Sequence, residues 1–336
     1  MKYKLTNNTK EFNGIQLFQI KALVDISIHG VLKGQLGGYI ASESNLSQES
    51  NAWVYGNAWV YGNARVYGNA QVYGDAQVSD NAQVSGNAQV YGDARVDGNA
   101  WVSGNAQVFG DARVYGNAQV SGNARVYGNV WVYGDALVSG NAQMYANAQV
   151  SGNAQVYGDA LVYGNAQVYG NALVSGDARV CDNAWVYGDA QVSGNASVSG
   201  NAWVSGNARV YGDARVFGDA QVSGNASVSG NAWVSGNARV FGDAQVSGNA
   251  SVSGNACVSK FYGIKNITNL KFSFTSLPKG IQIGCHFHTL KEWEEKHIQL
   301  GKENNMSESL SKAYYKLMKA VRHLQYIEER ESNVKV

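Results

Sequence analysis

The chain has 336 residues, of which 45% are hydrophobic and 11% aromatic, and this apolar content excludes a disordered polymer. Charged residues make up only 15% and the formal net charge is +1, so no overall field favours binding to nucleic acid or to an anionic membrane. Three cysteines without regular spacing and the lack of a long apolar run predict reduced thiols, a cytoplasmic location and no membrane-spanning segment.

Residues 1–44 precede a long repeat and differ from it in composition. A strand-like stretch runs from Ile15 to Ile28, and Gly37, Gly38 and Tyr39 form a turn signal. A stack of strands exposes unpaired backbone groups at its ends, and these promote end-to-end association unless they are covered. We therefore expect residues 1–44 to form an N-terminal β cap.

From Asn51 to Lys260 the chain consists of 35 uninterrupted copies of the hexapeptide Asn/Asp-Ala-x-Val-Tyr/Ser-Gly. Alanine fills the second position in 34 copies, valine the fourth in 34 and glycine the sixth in 31, whereas the third position varies freely. Residues two apart on a strand point the same way, so Ala and Val face one side and the residue between them faces the other. The following Tyr/Ser-Gly-Asn/Asp is typical of a corner, because glycine adopts positive φ and Asn or Asp bonds local backbone.

The same repeat predicts how many hexapeptides close one turn, because residues one turn apart must be neighbours. Reading every eighteenth residue gives seven successive aromatic residues, which we call the aromatic column: Tyr55, Tyr73, Tyr91, Phe109, Tyr127, Tyr145 and Tyr163. So short a strand cannot bury a core alone and must stack on its equivalents. We predict an all-β, single-chain parallel β-helix with three hexapeptides per coil and about 12 coils over residues 45–260, where residues 45–50 are a degenerate leading copy.

After residue 260 the sequence gains Lys, Glu and His and contains the one proline, Pro278, which predicts a separate small α+β cap over residues 261–336. Gly280–Phe287 alternates apolar and polar residues and predicts one closing strand. On that strand His286 and His288 share a face and are candidate partner-binding residues, whereas Cys285 would point away. Two ligands on one strand are weak support for a metal, so we predict no metal site.

Two helices follow. Thr289 and Glu292 form a capping-box signal that opens the first helix, and Gly301 is expected to end it. Ser307 is expected to start the second helix, whose apolar residues are spaced by four and three: Leu310, Tyr314, Leu317, Val321 and Leu324. This apolar face would pack on the last coil or form a homo-oligomer with a second helix pair.

The hexapeptides resemble the left-handed β-helix of the hexapeptide-repeat acyltransferase superfamily. That resemblance implies a left-handed coil, whereas the general rule for parallel crossovers favours the opposite hand. Gly37–Ile40 and Asn45–Gln48 are similar to the opening of YdcK-type proteins. The tail, with His288-Thr289 and Glu292-Trp293, is similar to uncharacterised hexapeptide-repeat proteins of phages and prophages, which are only nominally transferase-like.

Acyltransferases of this architecture imply a catalytic histidine, extruded loops and an acyl-CoA groove between subunits. None of these transfers to this sequence, because no histidine lies between His29 and His286 and no hexapeptide carries an insertion. General-base catalysis needs a group that titrates near neutral pH in a shaped pocket. We therefore predict no catalytic residue and no cofactor, with an acyl-CoA-dependent transferase as an alternative.

The outward third position carries 13 Gln, 8 Arg and 7 Trp, and Trp and Arg are the types that dominate protein interfaces. One predicted face holds four of the tryptophans, Trp59, Trp131, Trp185 and Trp203, but chance readily produces so uneven a split, and it is not evidence for a site. The leading hypothesis is a non-enzymatic, phage- or prophage-associated scaffold that binds an unidentified protein. The aromatic column is the main interaction candidate, although stacked rings could equally serve to stabilise the corners. A phage structural fibre is a further alternative, and we expect neither nucleic acid nor a membrane as a partner.

Overall fold

Each hexapeptide forms one short strand and one corner in the computed structural model of the chain. The structure describes residues 1–258, 266–267, 274–277, 280–283, 286–304 and 306–333. The chain divides into two compact units, residues 1–188 and residues 189–336. The fold is an all-β parallel β-solenoid of about 12 turns, with two helices near the C-terminus, as the sequence predicts. The hand of the coil stays a prediction.

The first three strands are β1 (Tyr3–Phe12), β2 (Ile15–Ala22) and β3 (Leu36–Ile40). β1 and β2 form an antiparallel hairpin whose turn residues, Asn13 and Gly14, both have positive φ. Asn-Gly is the pair that such two-residue turns favour. The predicted strand from Ile15 to Ile28 is too long, because the strand ends at Ala22 and Ser27–His29 forms a single 3-10 turn.

The solenoid strands of the first unit, β4 to β26, follow every six residues from Trp53–Val54 to Trp185–Val186. Each consists of the third and fourth residues of a hexapeptide, with three longer exceptions: β10 (Gln89–Gly92), β13 (Gln107–Gly110) and β16 (Arg125–Tyr127). The Ala and Val side chains of the repeat are at most 1% exposed, whereas many of the residues between them are exposed. The predicted inward and outward directions are therefore confirmed.

Within the first unit, parallel pairing joins solenoid strands that are three positions apart along the chain. The paired residues are 18 apart in all three sheets, as in Arg95 with Arg113, Gln89 with Gln107 and Trp101 with Gln119. Backbone hydrogen bonds such as that from Gln71 N to Ala88 O, at 3.0 Å, hold successive coils together. Three hexapeptides per coil is thus confirmed, and outward residues 18 apart form columns.

Glycine and ladders of asparagine build the corners. Gly122 has a φ of 66°, and a Cβ added there would lie 2.9 Å from the backbone N and O of Gly140 in the next coil. The left-handed conformation and the neighbouring backbone therefore both oppose a side chain. Beside the glycines, many asparagine amides donate to the equivalent residue one coil later, as in Asn123 to Asn141 at 2.9 Å. The Asn and Asp positions of successive coils thus form hydrogen-bonded ladders.

The N-terminal segment supplies donors to the first coil. Backbone N–H groups of the coils donate toward the next coil, so the carbonyl oxygens of the first coil have no earlier coil to pair with. Lys2 Nζ donates to Ser50 O at 2.8 Å and to Ala52 O at 2.6 Å, and Asn45 Nδ2 donates to Ala64 O at 2.9 Å. Burial lowers the pKa of Lys2 to about 8. Residues before the repeat therefore cover the acceptor end of the sheets.

The second unit contains the solenoid strands β27 to β38, from Gln191–Val192 to Cys257–Val258 at the same interval of six residues. Their register again joins residues 18 apart, as in Arg215 with Trp233. Four further strands form an antiparallel sheet in chain order: β39 (Asn266–Ile267), β40 (Phe274–Leu277), β41 (Gly280–Ile283) and β42 (His286–His288).

The prediction of one strand over Gly280–Phe287 is wrong. β41 and β42 are antiparallel neighbours, with Ile281 opposite His288 and Ile283 opposite His286. Residues directly opposite each other on antiparallel strands lie on the same face of the sheet. The two histidines therefore share a face with the two buried isoleucines.

The helices are α1 (Leu290–Glu303) and α2 (Glu308–Asn333), and among the described residues no helix is long and apolar enough to cross a membrane. The predicted capping box is confirmed, since Glu292 N donates to Thr289 Oγ1 at 3.2 Å and Thr289 N donates to Glu292 Oε2 at 2.8 Å. Gly301 does not end α1 but lies buried within it. A Cβ there would overlap the side chain of Ser311 on α2, so this glycine allows the helices to approach closely.

The C-terminal sheet and the two helices share a small core. Its buried members are Ile281, Ile283, Trp293, Tyr314 and Met318, with Leu310 and Leu317 packed against them. The side chains of Val321 and Leu324 lie outside the described residues. The described part of the apolar helix face, which the sequence analysis expects to contact the last coil or a second copy, thus packs on the C-terminal sheet and on α1.

Candidate functional site

The residues of the aromatic column lie directly above one another at one corner of the first unit. From Tyr73 to Tyr163 successive ring centroids are 4.6–5.4 Å apart, and the ring planes are within 13° of parallel. Tyr55 instead meets Tyr73 edge to face, with the centroids 6.3 Å apart. The structure therefore brings together all seven residues that the sequence grouped.

Stacking limits what the aromatic column can offer to a ligand. The rings from Tyr91 to Tyr145 have column neighbours on both faces, so they present their edges rather than their faces. A base or a sugar that needs a free ring face has no place between them. Each stacked pair contributes about 0.5–1.5 kcal/mol beyond its buried area, which supports a role in holding the corner.

The environment of the aromatic column disfavours the ionised form of its tyrosines. Burial raises the pKa of Tyr55, Tyr73 and Tyr91 above the ordinary value of 10.0. The pKa of Tyr163 rises to about 12, first because its hydroxyl is hydrogen-bonded with Cys181 and then because it is partly buried. Cys181 occupies the next position of this corner, is buried, and has a raised thiol pKa for the same desolvation reason.

These shifts predict a loss of stability in alkaline solution. A tyrosine whose pKa is higher in the folded state stabilises the fold fully below pH 10.0, and that contribution disappears as the pH rises through the folded pKa, about 12 for Tyr163. We expect the denaturant concentration at the unfolding midpoint to fall across this pH interval. The absorbance of tyrosinate should appear at a higher pH than the ordinary tyrosine pKa of 10.0 predicts. Cys181→Ala should move the titration of Tyr163 to lower pH. Complete tyrosine ionisation near pH 10.0 with an unchanged midpoint would contradict the prediction.

His286 and His288 lie side by side on β42, as predicted. Their ring centroids are 6.3 Å apart and their planes differ by 12°. His288 meets the edge of Trp293 with the centroids 5.1 Å apart, and Asn304 Nδ2 donates to His286 Nε2 at 3.3 Å. Burial lowers the pKa of His288, so the neutral imidazole is favoured there. The antiparallel pairing directs both rings toward the helices.

A cavity of about 80 Å³ lies between this sheet and the two helices, and His286 lines it. Most of its wall is apolar, with Trp293 and Met318 among the lining residues. The polar lining includes Asn304 and His297, which the sequence did not assign to a site. His297 lies one helical turn after Trp293, a spacing that places both on the same face of α1. His288 does not line the cavity.

Among the described residues, the paired imidazoles have no third metal ligand beside them. A zinc site takes at least three protein ligands, and the described residues contain no group of three or more His, Cys, Asp or Glu placed to hold a metal. Cys285 lies outside the described residues. The chemistry that this site offers is hydrogen bonding and aromatic contact.

The four tryptophans that were predicted to share a face differ in their surroundings. Trp59 is covered by the N-terminal hairpin, since its ring lies 5.1 Å from the ring of Phe12. Trp131 is 38% exposed, and the guanidinium of Arg113 lies over its ring, 5.4 Å from the ring centroid. In the second unit Trp203 is 40% exposed. The available aromatic surface is therefore less than the sequence pattern indicates.

A family model for the YdcK β-solenoid repeat matches the chain over much of the repeat. The matched residues are 58–74, 88–104, 106–120, 118–134, 148–164, 166–181, 178–193, 190–206, 208–222, 220–236 and 244–260. The chain is a β-solenoid repeat protein of the YdcK type. No curated protein matched the sequence.

The YdcK-type match and the aromatic column coincide over most of the first unit. Five of the seven column residues lie inside matched segments: Tyr73, Tyr91, Phe109, Tyr127 and Tyr163. The histidine pair lies beyond residue 260, outside the matched segments. The family assignment therefore supports the coil and its columns, and it does not extend to the C-terminal cavity.

Proposed function

We propose that this YdcK-type solenoid is a non-enzymatic scaffold that binds a protein partner, in the phage or prophage setting that the likeness of its tail implies. One observation carries the proposal. Four outward tryptophans are 38–48% exposed: Trp101, Trp131, Trp203 and Trp233. Tryptophan is enriched among the residues that contribute most to protein interfaces. Their strands belong to three different sheets, so exposed tryptophan occurs on more than one face of the repeat, and each face offers an anchor of its own.

The backbone beneath these side chains supports the same function. The outward residues stand on strands whose Ala and Val neighbours are buried and whose N–H groups are paired to the next coil, as in Trp101 N to Ala118 O at 2.9 Å. A surface that is already ordered loses little conformational entropy on binding. A scaffold of this kind can hold exposed anchors without a folding cost.

The coils offer little support for catalysis. The sequence has no histidine between His29 and His286, and the described core positions of the repeat are filled by Ala and Val, with Met144 as the exception. A general base needs a shaped pocket around a group that titrates near neutral pH. The described clefts of the repeat lie on its outer surface, lined by residues such as Gln149 and Gln167.

The test compares capture of host proteins by the full chain and by a variant that carries Trp101→Gln and Trp131→Gln. Glutamine is the commonest residue at this outward position, so the fold should be kept. Loss of one interface anchor costs about 2 kcal/mol or more, which corresponds to roughly 30-fold weaker capture. Gln119→Ala is the matched control. Equal capture by all three proteins would refute the proposal.

Two further measurements address the alternatives. Stabilisation of the full chain by acetyl-CoA in a melting assay would favour the acyltransferase-like alternative over a scaffold. A trimeric mass in solution would favour a structural fibre. An unchanged melting temperature and a mass that is not trimeric are the results expected for the proposed scaffold.

A further inference from the structure

A second corner of the first unit carries an interrupted stack of rings. The residues there, each one coil after the last, are Tyr115, Tyr133, Ser151, Tyr169 and Tyr187. Tyr115 and Tyr133 stack with centroids 5.0 Å apart and planes 2° from parallel, and Tyr169 and Tyr187 stack with centroids 5.0 Å apart and planes 3° from parallel. Ser151 alone separates the two pairs, and we call the space above its side chain the tyrosine slot.

The tyrosine slot has the dimensions of one missing ring. Coils repeat at about 4.8 Å, so Tyr133 and Tyr169, which lie two coils apart, are roughly 10 Å from each other. Each of these rings has a stacked tyrosine on its far side and Ser151 on its near side. A planar ring inserted between them would lie about 5 Å from both, which is the spacing of the existing pairs.

The walls of the tyrosine slot supply hydrogen-bonding groups as well as ring faces. The structure contains a cleft of about 210 Å³ here, lined by Tyr133, Gln149, Ser151, Gln167, Val168 and Tyr169. Gln149 and Gln167 are direct neighbours in their sheet. At an equivalent place in the repeat, Tyr67 Oη donates to Gln83 Oε1 at 3.0 Å, so a glutamine at this position reaches a polar group borne by a ring at the corner.

We propose that the tyrosine slot binds one aromatic side chain, tryptophan or tyrosine, of a partner protein. The inference rests on the proposed scaffold function and gives that function a specific anchor point. Two ring faces and two amides match a flat apolar ring with one N–H or O–H group.

A nucleotide is a poorer occupant of the slot. Its phosphate needs a nearby cation, whereas the guanidinium of Arg113 lies over the ring of Trp131, and the corner that carries Tyr133 continues into Asp135. The net charge of +1 adds no general attraction for phosphate.

The experiment titrates the full chain with indole and with p-cresol, the side-chain analogues of tryptophan and tyrosine, by ligand-observed NMR. Ser151→Tyr should fill the slot with a fifth stacked ring and weaken binding of both probes about tenfold or more, without lowering the melting temperature. Ser151→Ala is the matched control, and it should bind as the unsubstituted chain does. No binding to the unsubstituted chain, or equal binding to Ser151→Tyr, overturns the proposal.

A second variant keeps the test decisive if Ser151→Tyr folds poorly. Tyr169→Ser removes one wall of the slot, and serine is a common residue at this position of the repeat, so the coil should remain intact. Binding of indole should then fall about tenfold as well. Adenosine is the competing probe, and tighter binding of adenosine than of indole would overturn the assignment to a protein side chain.

The outcomes for the slot and for the scaffold function remain distinguishable. If indole fails to bind while partner capture still depends on Trp101 and Trp131, the slot is wrong and the scaffold function stands. If indole binds but partner capture does not change when outward residues are substituted, the scaffold function is wrong. The assignment of a protein partner to the slot is then wrong as well.

Discussion

Replacing Val120 with aspartate is expected to unfold the coils around it at much lower denaturant concentration. Val120 is fully buried and pairs in its sheet with Val102 and Val138. Loss of a buried valine side chain costs roughly 1.5–3 kcal/mol. An unpaired carboxylate in an apolar core adds a penalty of at least that size unless it takes up a proton. Circular dichroism during guanidinium unfolding measures the total, expected to be several kcal/mol.

The adjacent residue provides the control for this experiment. Gln119 precedes Val120 on the same strand but is exposed, so Gln119→Asp should change the free energy of unfolding by less than about 0.5 kcal/mol. A similar loss of stability in both variants would show that Ala and Val do not face the interior. In repeat folds each coil contacts only its neighbours, so the loss should be confined to nearby coils and visible by hydrogen exchange.

The coil was predictable because the repeat gives the same information many times. One Ala-x-Val segment is too short to distinguish a strand from a loop, but an eighteen-residue period in the ring positions fixes which segments are neighbours. The stacked pair of Tyr91 and Phe109 is the direct consequence of that period. Residues without a repeat carry only one copy of their pattern, and there the predictions were weaker.

The N-terminal and C-terminal errors have separate physical causes. β1 is a polar strand, and its residues lack the apolar alternation that marks a half-buried strand, so only the Asn13-Gly14 turn could have revealed the hairpin. In Gly280–Phe287 the alternation is compatible with one strand or with two strands joined by a short turn. The second arrangement moves His286 and His288 to the face of Ile281 and Ile283.

The candidate binding residues also differ in how far a repeated pattern could predict them. The aromatic column was visible in the sequence because its members are all aromatic, whereas the tyrosine slot depends on one serine between two pairs of tyrosines at another corner. Reading every eighteenth residue from Tyr115 gives the two ring pairs and Ser151, so the signal for the slot was present. The cavity beside His286 could not be predicted, because it requires α1, α2 and the sheet to meet in space.

Trp293→Ala is expected to remove most of the stability of the C-terminal domain while leaving the coils folded. Trp293 is 4% exposed and packs with Tyr314 and Met318, and its Nε1 donates to Ile281 O at 2.7 Å. Truncation of a buried tryptophan costs about 3–5 kcal/mol, because the lost contacts leave a void that the surroundings fill only in part. A domain with so small a core has little stability in reserve.

Hydrogen exchange measured by mass spectrometry separates the two parts of the second unit in this variant. Amides of α1 and α2 should exchange much faster in Trp293→Ala, while the coil amides of residues 189–258 keep their protection. Trp293→Phe retains a ring but leaves Ile281 O without its donor. Its free energy of unfolding should therefore lie about 1–3 kcal/mol below that of the unsubstituted chain and above that of Trp293→Ala. Lys291→Ala, at an exposed position of the same helix, should change the stability by less than about 0.5 kcal/mol. Unchanged protection of both helices in Trp293→Ala would show that the tryptophan does not hold them on the sheet.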